Sequence, residues 1–266
     1  MRTIFLAFFL FGELFAKAQP AAKAFSERTE TGFALYASNP DWYPVTMLFT
    51  MENTNLRFSE GTRLQFVLPP RSEKVRIGEL VPIKGDASFK LKYSYRTCMG
   101  DVNARPKDTV YLLPYSTGES FLLYQGYNGS FSHTGEKSID FTMPEGTTVR
   151  AIRGGSVVEV VQHNDRQCAS PDCKKYNNYI TILHADGTFA HYAHIRQNGA
   201  QVQAGDTVQA GDPIAYSGNV GYTDGPHLHF AVFSGGFERW TTWPTKFRTE
   251  KGVALLRERE QYLRNY

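Results

Sequence analysis

Hydrophobic and polar residues alternate in several short runs in the first half of the chain. Two such runs have apolar residues at every second position: Val45, Met47, Phe49 and Met51, then Phe89, Leu91, Tyr93 and Tyr95. A period of two is typical of half-buried strands, and Asn, Pro and Gly residues separate the runs. We therefore predict an all-β, sandwich-like domain over residues 19–120. No chemical motif marks this domain, so its role is open between a spacer, a substrate-positioning domain and an inhibitory domain.

A second β-rich region follows and is punctuated by glycine. Residues 116–119 resemble a hairpin turn leading into it, and the runs 156–161 and 178–183 are strand candidates. Two consecutive copies of Val-Gln-Ala-Gly-Asp, beginning at Val202 and Val208, fit tight turns between short strands. Two copies are too few for a solenoid. We predict a compact β-barrel or sandwich domain over residues 121–245.

The tail of the chain has a different pattern. Over residues 246–266, Val253, Leu256 and Leu263 stand among Arg and Glu residues. This spacing predicts one amphipathic C-terminal helix packed on the second domain.

The N-terminus has the features of an export signal. Arg2 precedes a short apolar run, residues 4–12, and Ala16 and Ala18 are the small residues that a signal peptidase requires. The run is too short to span a bilayer. We therefore predict that residues 1–18 are a cleaved signal peptide, with no stable membrane anchor, and that the mature protein is periplasmic, extracellular or associated with the cell wall.

Composition and cysteine content agree with an exported globular protein. The chain has 266 residues, of which 41% are hydrophobic, and a formal net charge of +3. This mild and scattered positive charge suits a polyanionic surface such as a cell wall and does not indicate nucleic-acid binding. Cys168 and Cys173 flank a short segment with a proline turn, which predicts a small disulfide loop. Cys98 would then stay free or compete for a partner.

The main chemical signal lies at residues 221–230, where a turn rich in Gly and Pro leads into a predicted strand. Side chains alternate across a strand, so His227 and His229 face one side and their apolar neighbours face the other. Two imidazoles on one face can both bind a metal ion, or one can bind the metal and the other its substrate. An isolated His-x-His pair is more often two polar residues on a half-exposed strand, so a metal site at this pair depends on further ligands elsewhere in the chain.

Further candidate ligands precede this pair. Asp140 interrupts an apolar strand pattern, and a buried carboxylate requires a partner such as a divalent cation. His133 lies upstream in a loop, and His194 ends another predicted strand. Three protein ligands and an open water position form the usual catalytic zinc site. The candidates therefore exceed what one zinc requires and leave two histidines for acid–base or oxyanion chemistry.

Four separated motifs occur in one order along the second domain. They are His133 to Ile139-Asp140-Phe141, Asn178-Tyr179-Ile180, Tyr192-Ala193-His194, and Gly225-Pro226-His227-Leu228-His229-Phe230. Together they resemble the LytM/lysostaphin-type zinc endopeptidases that cut peptidoglycan cross-bridges. The resemblance covers residues 121–245. Six residues separate the first histidine from the aspartate, where shorter members have three, which predicts an extra loop at that point.

The resemblance implies a role for each of these residues. His133, Asp140 and His229 would bind one Zn²⁺ per chain, while His194 and His227 would orient the attacking water and stabilise the oxyanion. Water bound to zinc has its pKa lowered to about 7.

Two further residues are candidates for the substrate groove. By family analogy Asn178 would line it, although a role in bonding the backbone fits equally well. Tyr192 is predicted to share a face with His194, and either shapes the groove or packs in the core. The remaining histidines are predicted to be structural or solvated, with His191 on the face opposite His194 and His184 in a polar turn.

The resemblance favours an exported endopeptidase that hydrolyses peptide stems or cross-links of peptidoglycan. Glycine bridges and cross-links between D-amino acids are both open as substrates. The alternative is a non-catalytic or latent relative that binds cell wall or regulates an amidase.

Overall fold

The computed structural model describes residues 19–85 and 88–266. Over these residues the chain forms β-strands and one short 3-10 helix, Pro171–Tyr176, so the predicted all-β class is confirmed. The predicted signal peptide, residues 1–18, lies outside the described residues. Within those described ranges, no helix has the length and apolar character needed to cross a bilayer.

The first region is built from two small antiparallel sheets. Its strands are β1 (Lys23–Thr29), β2 (Gly32–Asn39), β3 (Val45–Met51), β4 (Leu56–Phe58), β5 (Gln65–Leu68), β6 (Ser72–Pro82) and β7 (Tyr93–Met99). One sheet has the order β1-β2-β6-β4 and the other β5-β3-β7. Leu35 and Leu80 from the first sheet and Met47 and Phe49 from the second are buried in a shared core. The alternation in the sequence thus produces a sandwich-like arrangement.

The second region is dominated by one large sheet. Its strands are β8 (Val110–Tyr111), β9 (Ser120–Gln125), β10 (Ser138–Phe141), β11 (Thr148–Arg150), β12 (Gly155–Val161), β13 (Gln167–Cys168), β14 (Tyr179–Leu183), β15 (Phe189–Ala193), β16 (Ile195–Ala200), β17 (Thr207–Val208), β18 (Pro213–Ser217), β19 (Gly221–Tyr222), β20 (Leu228–Ser234), β21 (Thr241–Trp243), β22 (Lys246–Thr249), β23 (Gly252–Leu255) and β24 (Gln261–Leu263). The main sheet has the order β17-β12-β14-β15-β20-β10-β9-β24, with β21 also paired to β20. A smaller sheet, β11-β18-β16, contributes to the same hydrophobic core.

The sequence repeat forms two equivalent turns. In the first copy Asp206 Oδ2 accepts from the amide of Gln203 at 2.9 Å, and in the second Asp212 Oδ2 accepts from the amide of Gln209 at 2.7 Å. The glycine of each copy has a positive φ, which glycine adopts at little cost. The repeat is therefore turn chemistry that connects short strands at the edge of the core.

The prediction of a C-terminal helix is wrong, because the tail forms strands β22, β23 and β24. The residues of β22 alternate between exposed and buried, and β22 pairs with both β8 and β23. Gly252, with φ of 106°, begins β23 in a conformation that a right-handed helix excludes. Val253 and Leu263 are 56% and 37% exposed, so the apolar residues read as a helical stripe do not share a buried face.

The second structural unit begins before residue 120. β8 pairs in parallel with β22, and Tyr111, Leu113 and Tyr115 are buried in the core of the second region. Arg264 near the C-terminus donates to the carbonyls of Leu113 and Tyr115 at 3.2 and 2.6 Å. The chain from about residue 110 onward therefore packs with the second region.

The sandwich packs on one end of the main sheet. Phe189 and Phe233 of that sheet join the core of the first region, and Tyr43 of the sandwich approaches Phe189 with a ring-centroid distance of 6.4 Å. Phe233 and His229 are four residues apart in β20 and so face the same side. Glu159 in β12 lies at this junction, where burial raises the pKa of its carboxyl to about 7.

Candidate active site

Two neighbouring strands bring a carboxylate and an imidazole together. β10 and β20 are antiparallel, and their register sets Asp140 opposite His229. Residues directly opposite each other project on the same face of a sheet, and His229 Nδ1 lies 2.8 Å from Asp140 Oδ1. Leu228 and Phe230 are buried in the hydrophobic core on the other face. The alternation of side chains along β20 thus places His229 on one face and the core residues Leu228 and Phe230 on the other.

His133 reaches this pair from the loop 126–137, which closes on itself through backbone hydrogen bonds. The additional residues after His133 therefore loop out. His133 Nε2 lies 3.2 Å from Asp140 Oδ2 and 3.2 Å from His229 Nδ1. Its Nδ1–H donates to the carbonyl of Gly126 at 3.1 Å, which directs the Nε2 lone pair at the other two side chains.

The three side chains, hereafter the triad, have the donor set of a metal site. His133, Asp140 and His229 are buried, and each offers one ligand atom to a common point. For metal–ligand bonds of about 2.0–2.1 Å at tetrahedral angles, neighbouring ligand atoms lie about 3.3 Å apart. The observed separations of 2.8–3.2 Å are close to this value. Two imidazole nitrogens and one carboxylate suit a divalent transition metal.

The charges of the triad are strongly coupled. Burial alone would raise the pKa of Asp140, but the adjacent imidazoles of His133 and His229 outweigh it and hold that pKa well below its usual range. Burial would lower the pKa of His133, yet Asp140 outweighs burial and raises it. The buried carboxylate thus requires a positive charge beside it, which either a proton or a divalent cation supplies.

A glutamine that precedes the loop supports the carboxylate. Gln125 Nε2 donates to Asp140 Oδ2 at 2.7 Å and lies 2.8 Å from Ser132 Oγ. Gln125 is itself buried at the end of β9. It therefore fixes Asp140 to the loop that carries His133.

Two more histidines, hereafter the histidine pair, border a cavity that Asp140 and His229 also line. The ring centroids of His194 and His227 are 4.5 Å apart, and His194 is 6.0 Å from His229. His194 Nδ1–H donates to the carbonyl of Val220 at 2.8 Å, and His227 Nδ1–H donates to that of Gly225 at 2.8 Å. A neutral imidazole protonated at Nδ1 has its lone pair at Nε2. Each member of the pair therefore has an Nε2 that can accept a proton.

His194 is held in its neutral form. Burial, and then the neighbouring His227 and His229, keep the pKa of His194 well below its ordinary value. A neutral imidazole is the form that can accept a proton from water.

The backbone conformation at His194 explains why Tyr192 does not share a face with His194, as the sequence had predicted. β15 ends at Ala193, and His194 has a φ of 64°, in the left-handed region. The alternation of the strand therefore does not extend to His194. Tyr192 is fully buried in the core and its hydroxyl accepts from the amide of Ile152 at 3.0 Å. Of its two predicted alternatives, Tyr192 takes core packing.

The side chain of Asn178 also points away from the cavity. It is fully buried, its Oδ1 accepts from the amide of Asn164 at 3.1 Å, and its Nδ2 donates to the carbonyl of Asn164 at 2.9 Å. The structure thus shows the backbone-bonding alternative. The asparagine that borders the cavity is the adjacent Asn177.

Of the three histidines expected to be structural or solvated, His163 is exposed, whereas His184 and His191 are buried. His184 is 2% exposed and donates from Nδ1 to the carbonyl of Gly154 at 3.0 Å. Burial lowers its pKa to about 4. His191 lies 3.2 Å from Thr181 Oγ1 and faces the sandwich rather than the site's mouth.

Several further residues border the cavity, and the sequence motifs assigned a role to none of them. They are Tyr124, Phe131, Ser132, Asn177, Tyr222 and Thr223. The ring of Tyr124 lies 5.6 Å from that of His227, and Phe131 stacks on Tyr222 at 5.8 Å. Each lies in a turn or strand end near a ligand or histidine motif, and proximity along the chain is the signal that could have indicated them.

The structure contains a disulfide between Cys168 and Cys173, with Sγ atoms 2.02 Å apart. Cys173 lies in the 3-10 helix, and Cys168 in β13. Cys98 is buried in the first region.

Comparison with known proteins agrees with this geometry. Residues 134–239 match the family described as peptidase family M23. The chain is 33% identical over 117 residues to the glycyl-glycine endopeptidase ALE-1 of Staphylococcus capitis, which covers 44% of this chain and 28% of that protein. It is 37% identical over 98 residues to the DD-carboxypeptidase/endopeptidase Mpg of Neisseria meningitidis serogroup B, covering 37% of this chain and 19% of that protein.

Among solved structures, LytU is 30% identical, and the match covers 51% of this chain and 86% of that one with a TM-score of 0.33. The chain spans less than a third of the length of each of the two curated relatives. The matched residues include Asp140, His194, His227 and His229, and His133 immediately precedes them. Residues 134–239 therefore form a domain of peptidase family M23, of the LytM/lysostaphin type.

Proposed function

We propose that the chain is an exported zinc-dependent endopeptidase that hydrolyses peptide cross-links or stems of bacterial peptidoglycan. The observation that carries this proposal is the convergence of His133 Nε2, the Asp140 carboxylate and His229 Nδ1 at one buried point. The two curated relatives, named as a glycyl-glycine endopeptidase and a DD-carboxypeptidase/endopeptidase, support a peptidoglycan peptide as the substrate.

The triad would hold one Zn²⁺ per chain. Two neutral imidazoles and a carboxylate leave a fourth position for water or substrate in the usual catalytic zinc site. When bound, zinc supplies a Lewis acid that polarises the scissile carbonyl and makes hydroxide accessible near pH 7. Gln125 and the carbonyl of Gly126 keep two of the three ligands in position.

The histidine pair would handle the protons. The Nδ1–H groups of His194 and His227 are already engaged, so their Nε2 atoms are the acceptors that remain for the cavity. One Nε2 would accept a proton from the attacking water and later return it to the leaving amine, and the other would accept a hydrogen bond that orients the same water. The short distance between the two rings lets both act on one scissile bond.

Export is part of this proposal because the sequence predicts an N-terminal signal, and it agrees with the disulfide. Disulfides persist in oxidising compartments such as the periplasm and the extracellular space. Residues 1–18 would direct the chain there, which is also where its substrate lies. Mass spectrometry of the secreted protein tests this directly, with Gln19 as the expected first residue.

The alternative, a latent or non-catalytic relative, is less well supported. The residues that border the cavity lie between Tyr124 and His229, and none of those named comes from the described part of the sandwich. All five metal-binding and acid–base positions also hold competent side chains. These observations favour a catalytic protein whose cavity is not lined by the described part of the sandwich.

The test uses the mature full-length protein and a panel of defined muropeptides, some cross-linked through glycine bridges and some through D-amino acids. We expect one zinc per chain by elemental analysis and cleavage products by mass spectrometry. His229→Ala should lose both, while the matched control His163→Ala, at an exposed histidine, should keep both. A wild-type protein that neither binds zinc nor cleaves any of the panel would contradict the proposal.

A further inference from the structure

The histidine pair takes its orientation from one short stretch of backbone, residues 220–225, hereafter the acceptor turn. His194 Nδ1–H donates to the carbonyl of Val220 and His227 Nδ1–H to that of Gly225, both at 2.8 Å. The hydrogen bond at one ring nitrogen fixes the tautomer and orientation of an imidazole. The position of the acceptor turn therefore decides where both Nε2 atoms point.

The acceptor turn is attached to a neighbouring segment, residues 166–177, hereafter the support segment. Strand β19 of the acceptor turn pairs in parallel with β13 of the support segment, in a two-stranded sheet separate from the main sheet. Three successive amides donate into the support segment: Gly221 N to Arg166 O at 2.8 Å, Tyr222 N to Asn177 Oδ1 at 2.9 Å and Thr223 N to Cys168 O at 3.3 Å. In return, Gln167 Nε2 donates to the carbonyl of Thr223 at 2.6 Å.

The two segments approach so closely that glycine is required between them. Gly221 has a φ of 92°, and a Cβ at this position would lie 1.9 Å from Asn177 Oδ1. The side chain of Asn177 thus lies directly against the backbone of the acceptor turn. Any displacement of the support segment would move the turn with it.

The support segment has little regular structure of its own. It contains the two-residue strand β13 and the 3-10 helix Pro171–Tyr176. Elements this short are not stable in isolation. The disulfide joins Cys168 in β13 to the buried Cys173 in the helix. Because the loop it closes is short, its contribution to global stability by chain entropy is small, and its main effect is on local position.

The triad is attached differently. Asp140 and His229 lie on paired strands of the main sheet, and His133 is held by the carbonyl of Gly126. None of these contacts involves the support segment. Asp140 and His229 therefore have a backbone framework separate from the disulfide, whereas the loop that carries His133 touches the acceptor turn through the stacked rings of Phe131 and Tyr222.

We propose that the Cys168–Cys173 disulfide and the side chain of Asn177 are positioning groups for His194 and His227. Acting through the acceptor turn, they hold the acid–base residues in place, while Asp140 and His229 keep the separate framework of the main sheet. This inference rests on the proposed function. It makes full activity depend on the oxidised form of the disulfide.

The experiment compares the mature wild-type protein, oxidised or treated with a phosphine reductant, with the double variant Cys168→Ser/Cys173→Ser. Misplacement of a catalytic group by about 1 Å can lower a rate about 100-fold. We expect kcat to fall about 10- to 100-fold on reduction and in the double variant, with KM and zinc content unchanged. Reductant should have no further effect on the double variant, because its disulfide is already absent.

Two single variants separate positioning from other roles. Asn177→Ala removes the acceptor of the Tyr222 amide, and we expect a lower kcat with an unchanged KM, whereas loss of a substrate contact would raise KM. Asp172→Asn changes an exposed residue of the same disulfide loop and should leave both constants unchanged.

A second readout does not depend on activity. In ¹⁵N-labelled protein, the rings of His194 and His227 should be fixed in the Nδ1–H tautomer when the disulfide is oxidised and should populate both tautomers after reduction. An unchanged kcat with unchanged tautomers would overturn the inference, as would loss of zinc in parallel with activity. If the oxidised wild type cleaves no muropeptide, the proposed function fails, while the tautomer measurement still decides the positioning role.

Discussion

Asp140 and His229 of the triad border the same cavity as the histidine pair, but the triad and the pair are built in different ways. Two of the three triad residues project from adjacent strands of the large sheet, in a register that hydrogen bonds along both strands maintain. The histidine pair is oriented by carbonyls of the acceptor turn, whose strand belongs to a two-stranded sheet. The triad is thus built largely into the main sheet, whereas the histidine pair is oriented by a turn outside that sheet.

The two halves also differ in charge. In the triad a carboxylate with a strongly depressed pKa lies between two imidazoles. In the pair, burial and the other imidazoles keep His194 neutral. The triad thus offers a negative charge to a cation, and the environment of His194 keeps its imidazole in the neutral form that can act as a base. Metal binding and proton transfer should therefore be separable by mutation.

The largest effect is expected from Asp140→Ala. Removal of this carboxylate takes away one of the three proposed ligands and the only negative charge of the triad. We predict the loss of bound zinc and of all measurable hydrolysis, as determined by elemental analysis and muropeptide digestion. Retention of both would show that the metal is held elsewhere.

Substitution of the histidine pair should affect the rate and spare the metal. General acid–base catalysis typically contributes about 100- to 10,000-fold, so His194→Ala and His227→Ala should each lower kcat by an amount in this range. Zinc content should stay at one per chain, because neither residue belongs to the triad. If either variant lost its zinc, the division of the site into two halves would be incorrect.

Gln125→Leu should weaken the metal without abolishing the site. This substitution removes the hydrogen bond to Asp140 Oδ2 while keeping a similar volume. Loss of a group that orients a ligand typically lowers metal affinity about 10- to 100-fold. Competition with a zinc-binding dye measures this affinity, and kcat at saturating zinc should change far less. An unchanged affinity would mean that the strand pairing alone positions the carboxylate.

Glu159→Gln should alter stability and leave both halves of the site unchanged. Burial raises the pKa of Glu159 from 4.5 to about 7 in the folded protein, so the folded state holds this proton more tightly than the unfolded state does. Stability is then lost as pH rises from about 4.5 to about 7 and is lowest above that range, by about 3 kcal/mol. The variant should unfold at higher denaturant concentration than wild type at pH 8 and similarly at pH 4, with unchanged kcat. A lower stability at pH 8 would contradict this account.

The sequence predicted the triad and the pair because their signals are local. His227 and His229 are two positions apart and so lie on one face of a strand, and Asp140 interrupts an apolar strand pattern. Both features indicated a polar face opposite a hydrophobic core. The resemblance then assigned a role to each residue. The geometry brings all five together, including His133, which the loop delivers to the triad despite the longer separation.

Other parts of the site depend on tertiary structure or on single backbone angles. The left-handed φ of His194 interrupts the strand alternation, so the prediction that Tyr192 and His194 share a face is wrong. The hydrogen-bonded pairs that join the acceptor turn to the support segment are 45 or more residues apart in the sequence, as Asn177 and Tyr222 are. No periodicity reveals such a contact. In the tail, Val253, Leu256 and Leu263 have helical spacing only by coincidence, because Gly252 and the alternation of β22 favour strands.

The most direct test of the account is anomalous diffraction from crystals of the mature protein, collected on both sides of the zinc absorption edge. We predict one anomalous peak per chain at about 2.0–2.2 Å from His133 Nε2, His229 Nδ1 and a carboxylate oxygen of Asp140. His194 and His227 should lie beyond bonding distance of that peak. A peak bound by the histidine pair, or crystals grown with zinc that show no peak at the triad, would contradict the central claim.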